Sequence, residues 1–153
     1  MTSLRERAIH AIQSFNDWHI DAIMAWRAES CIHEILPKSL KQPPMDNATY
    51  RAYFTTQLPL FKNFHVTVHE VFEDVVGKQV AVWCSSTADS VVGPYQNEYV
   101  MMLYFTDDGS KVVRVREFVD SAFSINHFGK MRVKLEEKNG VPGGDKQSPK
   151  GSL

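Results

Sequence analysis

Cysteine is nearly absent from this chain of 153 residues, where Cys31 and Cys84 are the only two. Both fall in strand-like stretches, so they read as buried reduced thiols rather than a disulfide framework or a nucleophile. An excess of either charge is also missing. Lys and Arg number 17 against 18 for Asp and Glu, a formal net charge of -1, and no basic block stands out. That balance excludes the electrostatic footprint expected for nucleic acid or an anionic membrane surface. No apolar run is long enough to span a bilayer, and MTSLRERAIHAIQSF carries Arg5, Glu6 and Arg7 where a secretory leader needs an apolar centre. The expectation is a cytoplasmic protein with neither nucleic-acid nor membrane partners, in which the sequon at Asn47-Ala48-Thr49 is fortuitous.

What is present suits one domain with a substantial core, since 43% of the residues are hydrophobic. Leu4, Ala8, Ile12 and Phe15 recur at helical spacing, which predicts a helix from Ser3, its cap, to about Trp18. A second short helix, capped by Asn16 or Asp17, runs through Ile20, Ile23, Met24 and Trp26 and delivers Arg27 near its end. Cys31 to Leu36 reads as a strand stopped by Pro37, and PKSLKQPPMDN as a loop. A third helix begins at Asp46 or Asn47, with Tyr50, Phe54, Leu58 and Phe61 on one face and Pro59 closing it.

From Asn63 onward the period is two. Strands are predicted around Phe64 to His69, Val80 to Ser85, Tyr95 to Thr106 and Val112 to Ser121, with a hairpin turn at TDDGSK. The polar, Gly- and Pro-containing stretch 132–153 is expected to be disordered, leaving a domain over residues 1–131. Three helices followed by a strongly curved antiparallel sheet make an α+β architecture in which the helices close a concave sheet face into a pocket.

The strand faces single out a candidate site. Val113, Val115, Glu117 and Val119 share a face, so a carboxylate stands in a valine row pointing inward. On the preceding strand Tyr95, Asn97, Tyr99, Met101, Leu103 and Phe105 share a face, polar at one end and apolar at the other. A turn at 107–110 sets position 117 opposite positions 99 to 101, making Tyr99 and Glu117 cross-strand neighbours. A carboxylate in an apolar cavity has its charged form disfavoured and can pass a proton near neutral pH, whereas a nearby Arg27 opposes that. Tyrosine hydroxyls can donate to an oxygen gaining charge, and none of this requires a metal or organic cofactor. The same pattern would arise if Glu117 merely paired with a buried arginine and the tyrosines satisfied core hydrogen bonds. His65 and His69 resemble a metal pair, but on a strand rising about 3.3 Å per residue they stand roughly 13 Å apart and cannot share an ion. His33 is either a satisfied core or rim histidine or a pocket residue. Tyr50 and Phe54 are core aromatics that can also line the pocket, together with Asn97, Met101 and Val115.

The segments CIHEILPKSLKQPPMDNATYRAYF, FHVTVHEVFED and SSTADSVVGPYQNEYVMMLYFTDDGSKVVRVREFVDSAFS resemble the small fungal SnoaL-like isomerases and cyclases of secondary-metabolite clusters, over residues 4 to 130. GPY-x-NEY and EFVDS are the distinctive parts. The resemblance implies an NTF2-like cone, a homodimer, no cofactor and a multi-ring small-molecule substrate. Within that group are enzymes that rearrange meroterpenoid rings and a semi-pinacolase of a brevianamide-type indole alkaloid pathway. The latter uses an arginine, two tyrosines four apart and a glutamate on the last strand, which carries over to Arg27, Tyr95, Tyr99 and Glu117. A semipinacol shift on an oxidised indole and a ring isomerisation through an enolate are both implied. The contrasting expectation is a non-catalytic ligand-binding or dimerising module of the same fold.

Overall fold

Ser3 opens the first helix by a reciprocal cap: its Oγ accepts from Glu6 N at 3.1 Å, and Glu6 Oε2 accepts from Ser3 N at 2.9 Å. In the computed structural model, which describes residues 2–140, this helix, α1, spans Leu4–Gln13 and buries Ala8, Ala11 and Ile12. It ends at Gln13, short of the expected end near Trp18: Ser14–Asp17 tightens into a 3-10 turn that buries Phe15, and Trp18 breaks it at a left-handed φ of 48°. Helix α2, Ile20–Met24, is capped by His19, whose side chain accepts from Asp21 N, rather than by Asn16 or Asp17. Arg27 therefore lies beyond the helix and begins strand β1, Arg27–Leu36. Asp46 caps α3, Asn47–Gln57, accepting from Thr49 N at 2.8 Å, and Tyr50 and Phe54 are its buried face. Phe61 does not share that face, because a 3-10 turn containing Pro59 stops the helix and Phe61 starts β2.

Strands β2 (Phe61–Asp74), β3 (Gln79–Ser90), β4 (Gly93–Phe105) and β5 (Val112–Val119) complete a five-stranded sheet of order β1-β5-β4-β3-β2. Helix α1 packs on β2 and β3 and α3 on β1, so the helices cover one sheet face and enclose the core. The β4–β5 reversal has Gly109 at φ 71°, the positive φ the Asp-Gly turn predicts. The α+β class holds, with two differences. The sheet is mixed, because β1 pairs with β5 in parallel while the other three pairings are antiparallel. A long connection frees β1 from the hairpin rule that forces neighbours to run oppositely. The second difference is a fourth helix, α4 (Ser121–Lys138), capped by Asp120, whose side chain accepts from Phe123 N. Residues 132–138, expected to be disordered, form its last turns: Phe128 and Met131 anchor it, and the Lys, Leu and Glu that follow favour helix. Asn139 and Gly140 turn back onto the end of α4, and the rest of that expectation, residues 141–153, lies outside the described residues.

Candidate active site

Glu117 lies in an inward row that crosses the whole sheet: Ile35, Glu117, Met101, Val82 and Val71 are register partners in turn, and the carboxylate is fully buried among them. The next inward row pairs Val119, Tyr99, Cys84 and Val68, and the one after it pairs Asn97 with Ser86. Two-residue alternation thus stacks Glu117, Tyr99, Asn97 and Tyr95 along the interior. The irregularity between Tyr104 and Phe105 makes Val112 the inward valine and leaves Val113, expected to face in, only half-buried.

On the β1 side the carboxylate meets a histidine. His33, fully buried, lies between Arg27 and Glu117: Arg27 Nη2 donates to His33 Nδ1 at 3.1 Å, and His33 Nε2 is 3.0 Å from Glu117 Oε1. Tyr50 stacks on the imidazole with centroids 4.4 Å apart, and its ring also faces the Arg27 guanidinium at 4.0 Å. Trp26 adds a second aromatic contact to that guanidinium at 4.6 Å. Burial, reinforced by the Arg27 charge, pushes His33 well below the ordinary imidazole range, so the ring is neutral and its contact with Glu117 is a hydrogen bond rather than an ion pair. Arg27 Nε is buried without a hydrogen-bond partner among the described residues.

The tyrosines form a second chain. Tyr95 Oη and Tyr99 Oη are 2.6 Å apart, Tyr99 Oη is 3.0 Å from Ser86 Oγ, and Asn97 Nδ2 donates to both Tyr95 Oη and Ser124 Oγ at 3.0 Å. Burial raises both phenols, and the charge of Glu117 adds to the rise at each. They are therefore protonated donors at neutral pH, not bases. The same two causes push the Cys84 thiol up to about 12, which leaves it inert.

All ten residues singled out from the sequence (Arg27, His33, Tyr50, Phe54, Tyr95, Asn97, Tyr99, Met101, Val115 and Glu117) are buried. Arg27, His33, Tyr50 and Glu117 form one connected group, and Tyr95, Asn97 and Tyr99 form the other. Met101 and Val115 are inward neighbours of Glu117 on the sheet, while Phe54 stacks behind Tyr50. Ser86 and Ser124 were missed. Ser86 shares the inward parity of Val82 and Cys84, which would have revealed it; Ser124 belongs to the unpredicted α4. That helix covers the Tyr95 end of the interior through Phe123, His127 and Phe128, and a surface groove of about 490 Å³ beside α1 and α2 contains none of the ten.

No protein-family model matches the chain. Among curated relatives, monooxygenase AacuP of Aspergillus aculeatus is 28% identical over 125 residues, 82% of this chain and 86% of that protein. Among solved structures, the BvnE pinacolase of Penicillium brevicompactum superposes with a TM-score of 0.82 at 28% identity, covering 87% of this chain and 96% of that one. With 33% identity over 122 residues, 80% of this chain and 91% of core atranone cluster protein 11 of Stachybotrys chlorohalonatus, the chain belongs to one family with that fungal cluster protein, and its likeness to the pinacolase makes it an NTF2-like isomerase or cyclase of fungal secondary metabolism.

Proposed function

We propose that this enzyme directs a semipinacol-type rearrangement of an oxidised indole, with Glu117, Tyr99 and Tyr95 moving the protons and Arg27 orienting the nascent carbonyl. The observation carrying this reading is the inward Glu117 one row from a hydrogen-bonded pair of protonated tyrosines, all of them buried. In a hydroxyindolenine the carbinol hydroxyl loses a proton, a carbon substituent migrates with its bonding pair to the imine carbon, and the imine nitrogen gains a proton. The carbinol carbon becomes a carbonyl and the migration terminus a spiro centre, with no change of oxidation state overall. A base and an acid on opposite sides of the reacting carbons are all the step requires. The unfilled Arg27 Nε–H is a donor available to the forming carbonyl. Similarity to the BvnE pinacolase supports the choice of this shift over a ring isomerisation through an enolate.

The test is to incubate the purified protein, with and without oxygen, with a hydroxyindolenine made by oxidising a 2,3-disubstituted indole, and to resolve the spiro products by chiral chromatography. An enriched product of unchanged mass in both atmospheres is expected. An unaltered product ratio overturns the proposal, and an oxygen-dependent gain of one oxygen atom moves the activity to the monooxygenase class of its relative AacuP.

The proposal extends to assembly and place. Trp83, Val100 and Phe118 are register neighbours on three adjacent strands and all are exposed on the outer face, flanked by half-buried Met102 and Tyr104. An apolar face of this kind marks an interface, here a two-fold homodimer through the sheets. Free, buried Cys31 and Cys84 accord with a reducing cytoplasm, and among the described residues no helix is long and apolar enough to cross a membrane.

A further inference from the structure

The hydrogen bonds around His33 have a direction that the chemistry of their partners dictates. A guanidinium has donors and no acceptor, so the 3.1 Å contact from Arg27 Nη2 requires a bare lone pair on His33 Nδ1. The ring's single proton is then on Nε2, where Glu117 Oε1 accepts it at 3.0 Å. The other tautomer, or an imidazolium, would oppose two N–H groups at 3.1 Å in a site where neither side chain reaches solvent readily. Tyr50 stacked at 4.4 Å fixes the ring plane, and a half-turn flip within that plane would put ring carbons where Nδ1 and Nε2 are and lose both hydrogen bonds.

We infer that His33 is a positioning residue: it passes the orientation of Arg27 to Glu117 and presents the carboxylate to the substrate as the hydrogen acceptor of the site, leaving the tyrosine hydroxyls as the donors. Every hydrogen in the bridge points from Arg27 toward Glu117, and a group already receiving an N–H is stabilised as the base rather than the acid of the reaction. The tyrosine chain is supplied from the opposite end, with Asn97 Nδ2 donating to Tyr95 Oη, so a phenolic hydrogen remains to be given forward. The neutral state of His33 follows from its depressed titration, caused first by burial and then by Arg27. The inference rests on Glu117 being the proton-handling carboxylate, and it assigns which proton Glu117 handles.

The first arm of the test needs no substrate. Long-range proton–nitrogen spectra of protein labelled at its 6 histidines should contain one ring in the neutral Nε2–H form from pH 8 down to pH 5.5, absent from His33→Gln. A His33 signal in the Nδ1–H form, or one that charges along an ordinary imidazole titration, overturns the inference. The second arm uses the hydroxyindolenine assay. Gln can accept from Arg27 and donate to Glu117 with one amide, whereas Phe keeps the stack on Tyr50 and does neither. His33→Phe should lower product selectivity by a factor on the order of ten to a thousand, and His33→Gln should recover at least about tenfold of that loss. Because the residue acts through Glu117, neither substitution should add to the loss in Glu117→Gln. Parental selectivity in His33→Phe, or losses that multiply in the double variants, overturn the inference; if His33→Phe does not fold, the His33→Gln and Glu117→Gln pair decides the same point. The expected spectra from a parent that leaves the product ratio unaltered would sink the semipinacol reading while leaving the tautomer assigned.

Discussion

Replacing Tyr99 by Phe removes one hydroxyl from the middle of the chain Ser86, Tyr99, Tyr95, Asn97 and leaves the ring in place. Two groups lose a partner: Tyr95 Oη at 2.6 Å and Ser86 Oγ at 3.0 Å. Tyr95 keeps the N–H from Asn97, but Ser86 is only 1% exposed and cannot turn to water instead. One abandoned buried hydroxyl costs about 1–3 kcal/mol. For a chain of this size each kcal/mol lowers the melting temperature by roughly 2–4 °C, so a fall of about 2–12 °C is expected. Turnover should fall as well. Tyr99 is two residues along β4 from Met101, the register partner of Glu117, whereas Tyr95 is further toward α4. Losing a donor aimed at developing charge lowers the rate by a factor on the order of ten to a thousand, more for Tyr99→Phe than for Tyr95→Phe. Both quantities are read on one preparation, by thermal melting and by the ratio of spiro products. Substrate loss is the wrong measure, because such intermediates also rearrange unaided. A Tyr99→Phe protein that melts lower yet returns the parental product ratio would mean that the hydroxyl only satisfies Ser86 and Tyr95, and the donor role would be refuted.

Glu117→Gln retains an oxygen that accepts from His33 Nε2, whereas Glu117→Leu leaves that buried N–H without an acceptor, so the Leu variant should be less stable than the Gln variant by about 1–3 kcal/mol while both lose product selectivity. Full selectivity in the Gln variant, or parental melting in the Leu variant, contradicts the site as drawn. Light scattering at micromolar concentration should give a dimer mass that Phe118→Glu reduces to a monomer, and a monomeric parent rejects the sheet interface. His33 is held below its ordinary titration range, so between that folded-state value and the unfolded value of about 6.5 the unfolded chain binds more protons than the folded one. Stability is therefore complete above about pH 6.5 and is lost as the pH falls, by at most about 1.4 kcal/mol per unit from this residue. His33→Gln should flatten the melting profile between pH 7.5 and 5.5, and an unchanged slope would place the loss elsewhere.

The β4–β5 hairpin could be read in advance because its signals are local. Alternation names the inward side chains of β4, and a turn at Asp-Gly counts the register across to Glu117; both survive in the structure, where Tyr95, Asn97, Tyr99, Met101, Leu103 and Phe105 are all buried and Glu117 faces Met101. Helix α4 was not legible because its first turns, SAFSINHFGK, mix Ser, Asn and Gly with aromatics whose burial depends on Tyr95 and Phe61 beneath them. Its packing, not its propensity, makes it a helix.

The histidine bridge was illegible for a different reason. Whether His33 can touch Glu117 depends on the direction of β1, and parallel pairing across so long a connection leaves no turn residues to announce it. In the parallel register Ile35 is opposite Glu117 and His33 opposite Val115, so the inward imidazole is diagonal to the carboxylate, and the irregularity between Arg27 and Ile32 brings the guanidinium back onto Nδ1. Reversing β1 would keep every inward residue inward and would still carry Arg27 and His33 past Glu117 in the opposite order, with nothing to align the three. Residue types and faces therefore identify the candidates, but the alignment that lets Arg27 set the polarity of His33 toward Glu117 depends on strand direction.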